Sequence, residues 1–116
     1  MDNINKRKTG QWYEQKAAVF LKNQGYNILK CNYYCHYGEI DIIAEENGYI
    51  VFIEVKYRKN PAYGTPGEAV NSIKRQHIRQ SALDFLMKFY GTEEILCRFD
   101  VVAITGNQIQ LIKNAF

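Results

Sequence analysis

The sequence contains no long apolar run, few prolines and few cysteines. No stretch approaches the about 20 apolar residues that a membrane-spanning helix requires, so no membrane partner is predicted. Residues 1–10 are polar and do not resemble a secretory signal, which favours a cytoplasmic protein. With 116 residues, two prolines and no low-complexity segment, we expect a single domain over residues 1–116 with a core of its own.

The cysteine content argues against disulfide bonds and against structural zinc. The three cysteines are an odd number, which favours reduced thiols. Cys31, Cys35 and His36 are too few for a structural zinc site, which usually has four ligands. We therefore interpret Cys31 and Cys97 as small core residues.

The order of helical and strand patterns predicts the fold class. Helical spacing of apolar residues predicts a first helix, capped by Thr9 and ending at about Gln24 before Gly25. Thr65-Pro66-Gly67-Glu68 is typical of a second helix start, and its apolar stripe extends to Gly91. Strand patterns cover residues 26–34, 39–45, 49–57, 96–105 and 107–112. This order predicts an α/β fold, helix–three-strand meander–helix–strand, in which helices flank a mixed sheet and the fourth strand is parallel to the third.

A hairpin through Asn47-Gly48 determines which residues face each other. A two-residue turn pairs Glu46 with Tyr49, so that Ile42 lies opposite Ile53. The same count puts Ile40, Ile42, Ala44, Val51, Ile53 and Val55 on one apolar face, which we expect to be buried under a helix.

The other face of this hairpin carries charged residues. Asp41 is predicted opposite Glu54, and Glu39 opposite Lys56, with Cβ atoms of opposed residues roughly 4.5–5.5 Å apart. Two adjacent carboxylates repel each other unless a divalent cation lies between them, and oxygen ligands favour Mg²⁺ or Mn²⁺. Such a cation beside a lysine suits phosphodiester hydrolysis.

Two interpretations of these charges compete. In the simpler one, Asp41, Glu54 and Lys56 form an ion-pair cluster on a solvated sheet face. Apolar neighbours on that face imply partial cover and favour a cleft. These neighbours are Ile43, Ile50 and Phe52. Glu14 shares a helix stripe with Ala17 and Leu21, and is either a third carboxylate of the site or a partner of a nearby lysine.

Basic and aromatic residues near these positions suit a DNA backbone, and the net charge of +3 permits such a partner. The predicted DNA-binding residues are Tyr57, Arg58 and Lys59, which leave the third strand, and Lys74, Arg75 and Arg79 on the second helix. A charged helix face is also commonly just solvated. We interpret His77 as a structural histidine, and Arg98 with Asp100 as a structural pair.

Several of these residues lie in strings that resemble a known family. Asp41, twelve further residues and Glu54-Val55-Lys56 are similar to the PD-(D/E)xK nuclease signature, with Ile40 in place of the usual proline. The strings GEID at 38–41, FIEVKYR at 52–58 and RFDVV at 98–102, with Gly10 and Glu14 ahead of them, resemble the YraN family of bacterial proteins. That family is in turn similar to archaeal Holliday junction resolvases.

The resemblance implies a restriction-endonuclease-like core and a catalytic set of Glu14, Asp41, Glu54 and Lys56. It implies that Asp41 and Glu54 bind Mg²⁺ or Mn²⁺, that Lys56 assists catalysis and that Glu14 is a helix-borne carboxylate. It also implies an endonuclease of structured or branched DNA, acting as a dimer. A non-catalytic nucleic-acid-binding protein and an assembly protein with a charged hairpin are the alternatives.

Overall fold

The computed structural model describes the backbone of residues 3–58 and 71–116, and side chains from residue 8 onward. The elements are α1 (Asn3–Asn23), β1 (Asn27–Cys35), β2 (Gly38–Glu46), β3 (Tyr49–Arg58), α2 (Ser72–Tyr90), β4 (Cys97–Thr105) and β5 (Gln108–Ile112). The strands form one sheet in the order β1-β2-β3-β4-β5, in which only the β3–β4 pair is parallel. The predicted α/β class and mixed sheet are confirmed, and the arrangement is compatible with a restriction-endonuclease-like core.

The turn between β2 and β3 fixes the register that the sequence predicts. Asn47 and Gly48 both have positive φ, 53° and 84°, as a type I′ turn requires. Glu46 pairs with Tyr49, and the ladder continues to Ile42 and Ile53. The predicted pairing is therefore confirmed over this part of the hairpin.

Each face of the sheet packs against one helix and has its own apolar cluster. Ala17 and Leu21 of α1 pack with Ile42, Val51 and Ile53. On the opposite face, the α2 residues Ile78, Ala82, Phe85 and Leu86 pack with Ile43, Phe52 and Val101 of the sheet. Within the described part of the chain, no helix is long and apolar enough to cross a membrane.

The start of α1 differs from the sequence prediction. The helix α1 begins at Asn3, so Thr9 lies inside it and is not its cap. Neither glycine nor proline occurs over residues 3–8, and nothing there interrupts the helix. The helix α2 begins at Ser72, where the side chain of Asn71 accepts a hydrogen bond from Lys74 N at 2.9 Å. The predicted start at Thr65, Pro66 and Glu68 lies outside the described residues.

A break in strand alternation separates Ile40 from Ile42, and the prediction that they share a face is wrong. Ile42 belongs to the α1-side cluster, whereas Ile40 belongs to the α2-side cluster. Their partners on β1 are Cys31 and Tyr33, which flank Asn32. Asn32 has a left-handed φ of 56°, which interrupts the regular two-residue alternation of the strands at this point. Asp41 therefore lies at the point where the buried side chains of β2 switch from one face of the sheet to the other.

Candidate active site

Asp41 lies at the point where the hairpin ladder ends. Its Oδ2 accepts a hydrogen bond from the backbone N of Val55 at 2.9 Å, just beyond the Ile42–Ile53 pair. Burial and then the negative charge of Glu54 raise the pKa of Asp41 to about 8. Asp41 is thus a partly buried carboxyl in an environment that disfavours its anion unless a cation compensates.

Three carboxylates converge around this position. Oxygen atoms of Glu14, Glu39 and Asp41 all lie within 4.8 Å of one another. The helix α1 contributes Glu14, whose pKa is raised by burial and by the charge of Glu39. Of the two roles left open for Glu14, the structure therefore supports the carboxylate cluster. Glu39 was expected opposite Lys56 and lies instead with the other acids.

Glu54 is the centre of a second group of charges. Its side chain is only 4% exposed, and its Oε1 lies 2.7 Å from Lys74 Nζ and 3.5 Å from Lys56 Nζ. Burial lowers the pKa of Lys56. For Lys74, burial lowers the pKa, but the hydrogen bond and charge of Glu54 outweigh this effect and raise it. Lys74, predicted to bind DNA, thus neutralises a buried carboxylate of the site.

Two cavities are lined by these charged residues. A cavity of about 460 Å³ is lined by Tyr37, Glu39, Asp41, Glu54, Lys74 and His77, among others. A second, of about 270 Å³, is lined by Glu14, Asp41, Glu54, Lys56, Tyr57, Arg58 and Lys74, among others. Asp41 and Glu54 border both cavities. His77 is exposed at the first cavity, so its interpretation as a structural histidine is not supported.

The residues predicted to bind DNA lie in two separate parts of the structure, one at the smaller cavity and one beside the rings of Phe99 and Phe116. Tyr57 and Arg58 line the smaller cavity together with Lys74. The guanidinium of Arg79 lies over the rings of Phe99 and Phe116, 5.8 and 5.7 Å from their centroids, and that of Arg75 lies 5.6 Å from the centroid of Phe116. Lys59 is outside the described residues. Arg75 and Arg79 therefore do not line either cavity beside the carboxylates.

A separate buried network surrounds Asp100. Its carboxylate, fully buried, accepts hydrogen bonds from Tyr26 Oη at 2.8 Å and from Arg98 Nε at 2.9 Å. Arg98 also donates to Glu46 Oε1 at 2.8 Å. Burial and the hydrogen bond to Asp100 raise the pKa of Tyr26. The predicted pairing of Arg98 with Asp100 is confirmed, and the network joins Tyr26, which precedes β1, to β2 and β4.

Three placements were not foreseen. Cys31 is exposed, so its interpretation as a core residue is wrong, whereas Cys97 packs against the α2-side cluster. Glu39 belongs to the acidic cluster, a role that its place in GEID, two residues before Asp41, could have indicated. Trp12 is 54% exposed on α1, two residues before Glu14, and no pattern in the sequence marked it as a surface residue.

Comparison with known proteins places the chain in a family. A model of the uncharacterised protein family UPF0102 matches residues 13–104. A UPF0102 protein of Lachnoclostridium phytofermentans is 49% identical over 113 residues, covering 97% of this chain and 96% of that protein. A UPF0102 protein of Caldicellulosiruptor saccharolyticus is 42% identical over 119 residues, covering 97% of this chain and 100% of that protein. The chain belongs to UPF0102, the YraN family that its motifs resemble.

Proposed function

We propose that this chain is a metal-dependent endonuclease that hydrolyses phosphodiester bonds in structured or branched DNA. The observation that carries the proposal is the convergence of Glu14, Glu39 and Asp41 within 4.8 Å of one another, beside a buried Glu54 that contacts two lysines. Acids brought together by folding from a helix and a strand are costly unless a cation binds them. The resemblance to PD-(D/E)xK nucleases supports the same assignment.

The donor set fits a hard divalent cation such as Mg²⁺ or Mn²⁺. All of its members are carboxylates, and Mg²⁺ is usually held by one or two of these with the rest of its shell left to water and substrate. Asp41 and either Glu54 or Glu14 would hold the ion. When bound, it would supply Lewis-acid polarisation of a phosphoryl oxygen.

The other residues of the smaller cavity have distinct roles in this proposal. Lys56 lies 3.5 Å from Glu54 and is half-buried, so its ammonium is positioned beside the carboxylates and stabilises negative charge that develops on the phosphate. Lys74 holds Glu54 in place from α2. Arg58 would contact the DNA backbone, together with Tyr57.

The biological setting is part of the proposal. We place the reaction in the cytoplasm and the protein in a dimer, since a four-way junction offers two equivalent cleavage positions related by two-fold symmetry. A protein that kept the fold but lacked activity would bind the same DNA without cutting it.

Cleavage of a panel of DNA substrates tests the proposed activity. The protein is incubated with linear, flapped and four-way-junction DNA and with Mg²⁺ or Mn²⁺. We expect cleavage of a branched substrate by the wild type, a loss of about 10²–10³-fold in rate for Lys56→Gln, and no cleavage by Asp41→Asn. Equal cleavage by all three proteins would reveal a contaminating nuclease, and the absence of cleavage with metal bound would favour the binding protein.

DNA binding is expected to weaken with salt and to depend on Arg58. Displacement of condensed counterions makes affinity fall steeply as salt increases. Arg58→Ala should weaken binding to all DNA sequences alike and reduce the slope of log K against log salt by about 1. Fluorescence anisotropy of labelled DNA measures both. Lys88→Ala is the matched control, since Lys88 is exposed on α2 and pairs with Asp84; an equal loss in this control would argue against a specific role of Arg58.

A further inference from the structure

Three aromatic rings form a continuous group on α1 and β3. The rings of Tyr13 and Tyr57 are stacked, with centroids 4.2 Å apart and an angle of 11° between their planes. Trp12 meets Tyr13 edge to face, with centroids 4.9 Å apart. We call Trp12, Tyr13 and Tyr57 the aromatic tier.

The aromatic tier adjoins the carboxylates. Tyr57 lines the same cavity as Glu14, Asp41 and Glu54. Trp12 and Tyr13 directly precede Glu14 on α1. A ligand whose phosphate entered the cavity would therefore have its neighbouring groups beside Tyr57, which stacks on Tyr13.

Two rings of the tier are exposed, whereas the third, Tyr13, is partly buried and packs against the α1-side cluster. Trp12 is 54% exposed and Tyr57 is 39% exposed. Large exposed apolar groups clustered at a cavity mark binding surfaces. Aromatic rings of this kind bind unpaired nucleobases by stacking, since every base has a π-face.

Cations around the tier suit a phosphate backbone. Lys16 Nζ lies 4.9 Å from the centroid of the Trp12 ring. Arg58 lines the cavity, and its buried Nε has no hydrogen-bond partner within the described part of the chain. Where it borders the cavity, the guanidinium of Arg58 can donate hydrogen bonds to a phosphate oxygen.

We propose that the aromatic tier stacks on an unpaired base next to the phosphodiester bond that enters the carboxylate site; this inference rests on the proposed nuclease function. Bases within a continuous duplex are already stacked on each other and cannot reach the rings without being flipped out. The tier thereby selects DNA with unpaired nucleotides, such as single-stranded flaps, over unbroken duplex.

The sequence allows a direct optical test, because Trp12 is its one tryptophan. Oligothymidylate of twelve nucleotides is titrated into the protein while Trp12 emission is recorded, in EDTA and again with Ca²⁺. A blunt duplex of the same length is titrated in parallel. We expect saturable quenching by the single strand in at least one of these conditions, and little quenching by the duplex. Quenching that is absent with both, or equal for both, would overturn the proposal.

Variants separate stacking from a general effect of charge. Anisotropy of a labelled single strand should show Trp12→Ala binding roughly fivefold to a hundredfold more weakly, with Trp12→Phe restoring most of the affinity. Tyr90→Ala removes an exposed aromatic residue at the end of α2 and should bind like the wild type. Circular dichroism verifies that each variant is folded. Unchanged affinity of folded Trp12→Ala would refute the stacking role.

Failure of this inference is distinguishable from failure of the proposed function. Calorimetric titration with Mn²⁺ reports on the carboxylates without DNA. Quenching by single strands without metal binding would support the stacking role of the aromatic tier and contradict the proposed nuclease function. Metal binding and cleavage without quenching would support the proposed nuclease function and contradict the stacking role of the aromatic tier.

Discussion

The variant Asp41→Asn is expected to be at least as stable as the wild type without metal, and to lose the stabilisation that Mg²⁺ or Mn²⁺ gives the wild type. The asparagine replaces a carboxyl whose anion is disfavoured by burial and by Glu54, and its amide oxygen can still accept the hydrogen bond from Val55 N. A cation that binds only the folded state stabilises it by about 2.7 kcal/mol at a hundredfold excess over Kd. Thermal melting of both proteins, in EDTA and in millimolar Mn²⁺, measures the effect.

The difference between the two proteins should also depend on pH. The pKa of Asp41 is about 8 in the folded protein, above the ordinary value of about 3.9 in the unfolded chain. Between these values the folded state holds a proton that the unfolded state releases, so the free energy of unfolding of the wild type decreases as pH rises from about 4 to 8. Asp41→Asn lacks this contribution, and its advantage in EDTA should be largest at pH 8 and above.

Glu45→Gln is the matched control for these measurements, because it exchanges an exposed carboxylate for an amide on the same strand. It should respond to Mn²⁺ like the wild type. If wild type melts at one temperature in EDTA and in saturating Mn²⁺, and Asp41→Asn is destabilised in EDTA, the acidic cluster is structural and binds no metal.

Replacing Asp100 by alanine is expected to cost about 3–5 kcal/mol of the free energy of unfolding, a large part of the ~5–15 kcal/mol of a typical domain. Asp100 is fully buried and accepts hydrogen bonds from Tyr26, Arg98 and the backbone N of Asn114. Its removal leaves the guanidinium of Arg98 largely buried without its main partner. Urea denaturation followed by circular dichroism measures this loss.

Lys113→Ala provides the comparison at the rim of the same network. Lys113 lies 3.5 Å from Glu46 and is half-exposed, so its replacement should cost less than about 1 kcal/mol. A loss of less than 1 kcal/mol in Asp100→Ala would contradict a structural role for the buried network.

The hairpin shows how far local rules determine this site. Asn47-Gly48 predicts a turn whose geometry fixes the partner of every residue as far as Ile42 and Ile53. Beyond that pair, the prediction that Ile40 stays on the same face is wrong, because Asn32 of the neighbouring strand adopts a left-handed conformation. Nothing in the sequence of β2 itself indicates this change, which depends on its pairing with β1.

Long-range contacts account for the rest of what the sequence did not predict. The proximity of Tyr26 to Asp100 and of Lys74 to Glu54 requires the complete sheet and the placement of α2. The cap of α2 at Asn71 is a local signal, but Thr65-Pro66 is an equally good helix start in sequence. The resemblance to nucleases indicated Asp41, Glu54, Lys56 and Glu14, whereas Glu39 was not included in the predicted site.

The irregular backbone of β1 has a further consequence for solubility. β1 lies at the edge of the sheet, where unpaired backbone groups can recruit a strand from another molecule. A register shift between Ile28 and Lys30, followed by the left-handed Asn32, interrupts the regular ladder that such a strand would need. The exposed Lys30 would add charge to any such contact. The distortion that accompanies the placement of Asp41 among the acids thus also protects this edge against aggregation.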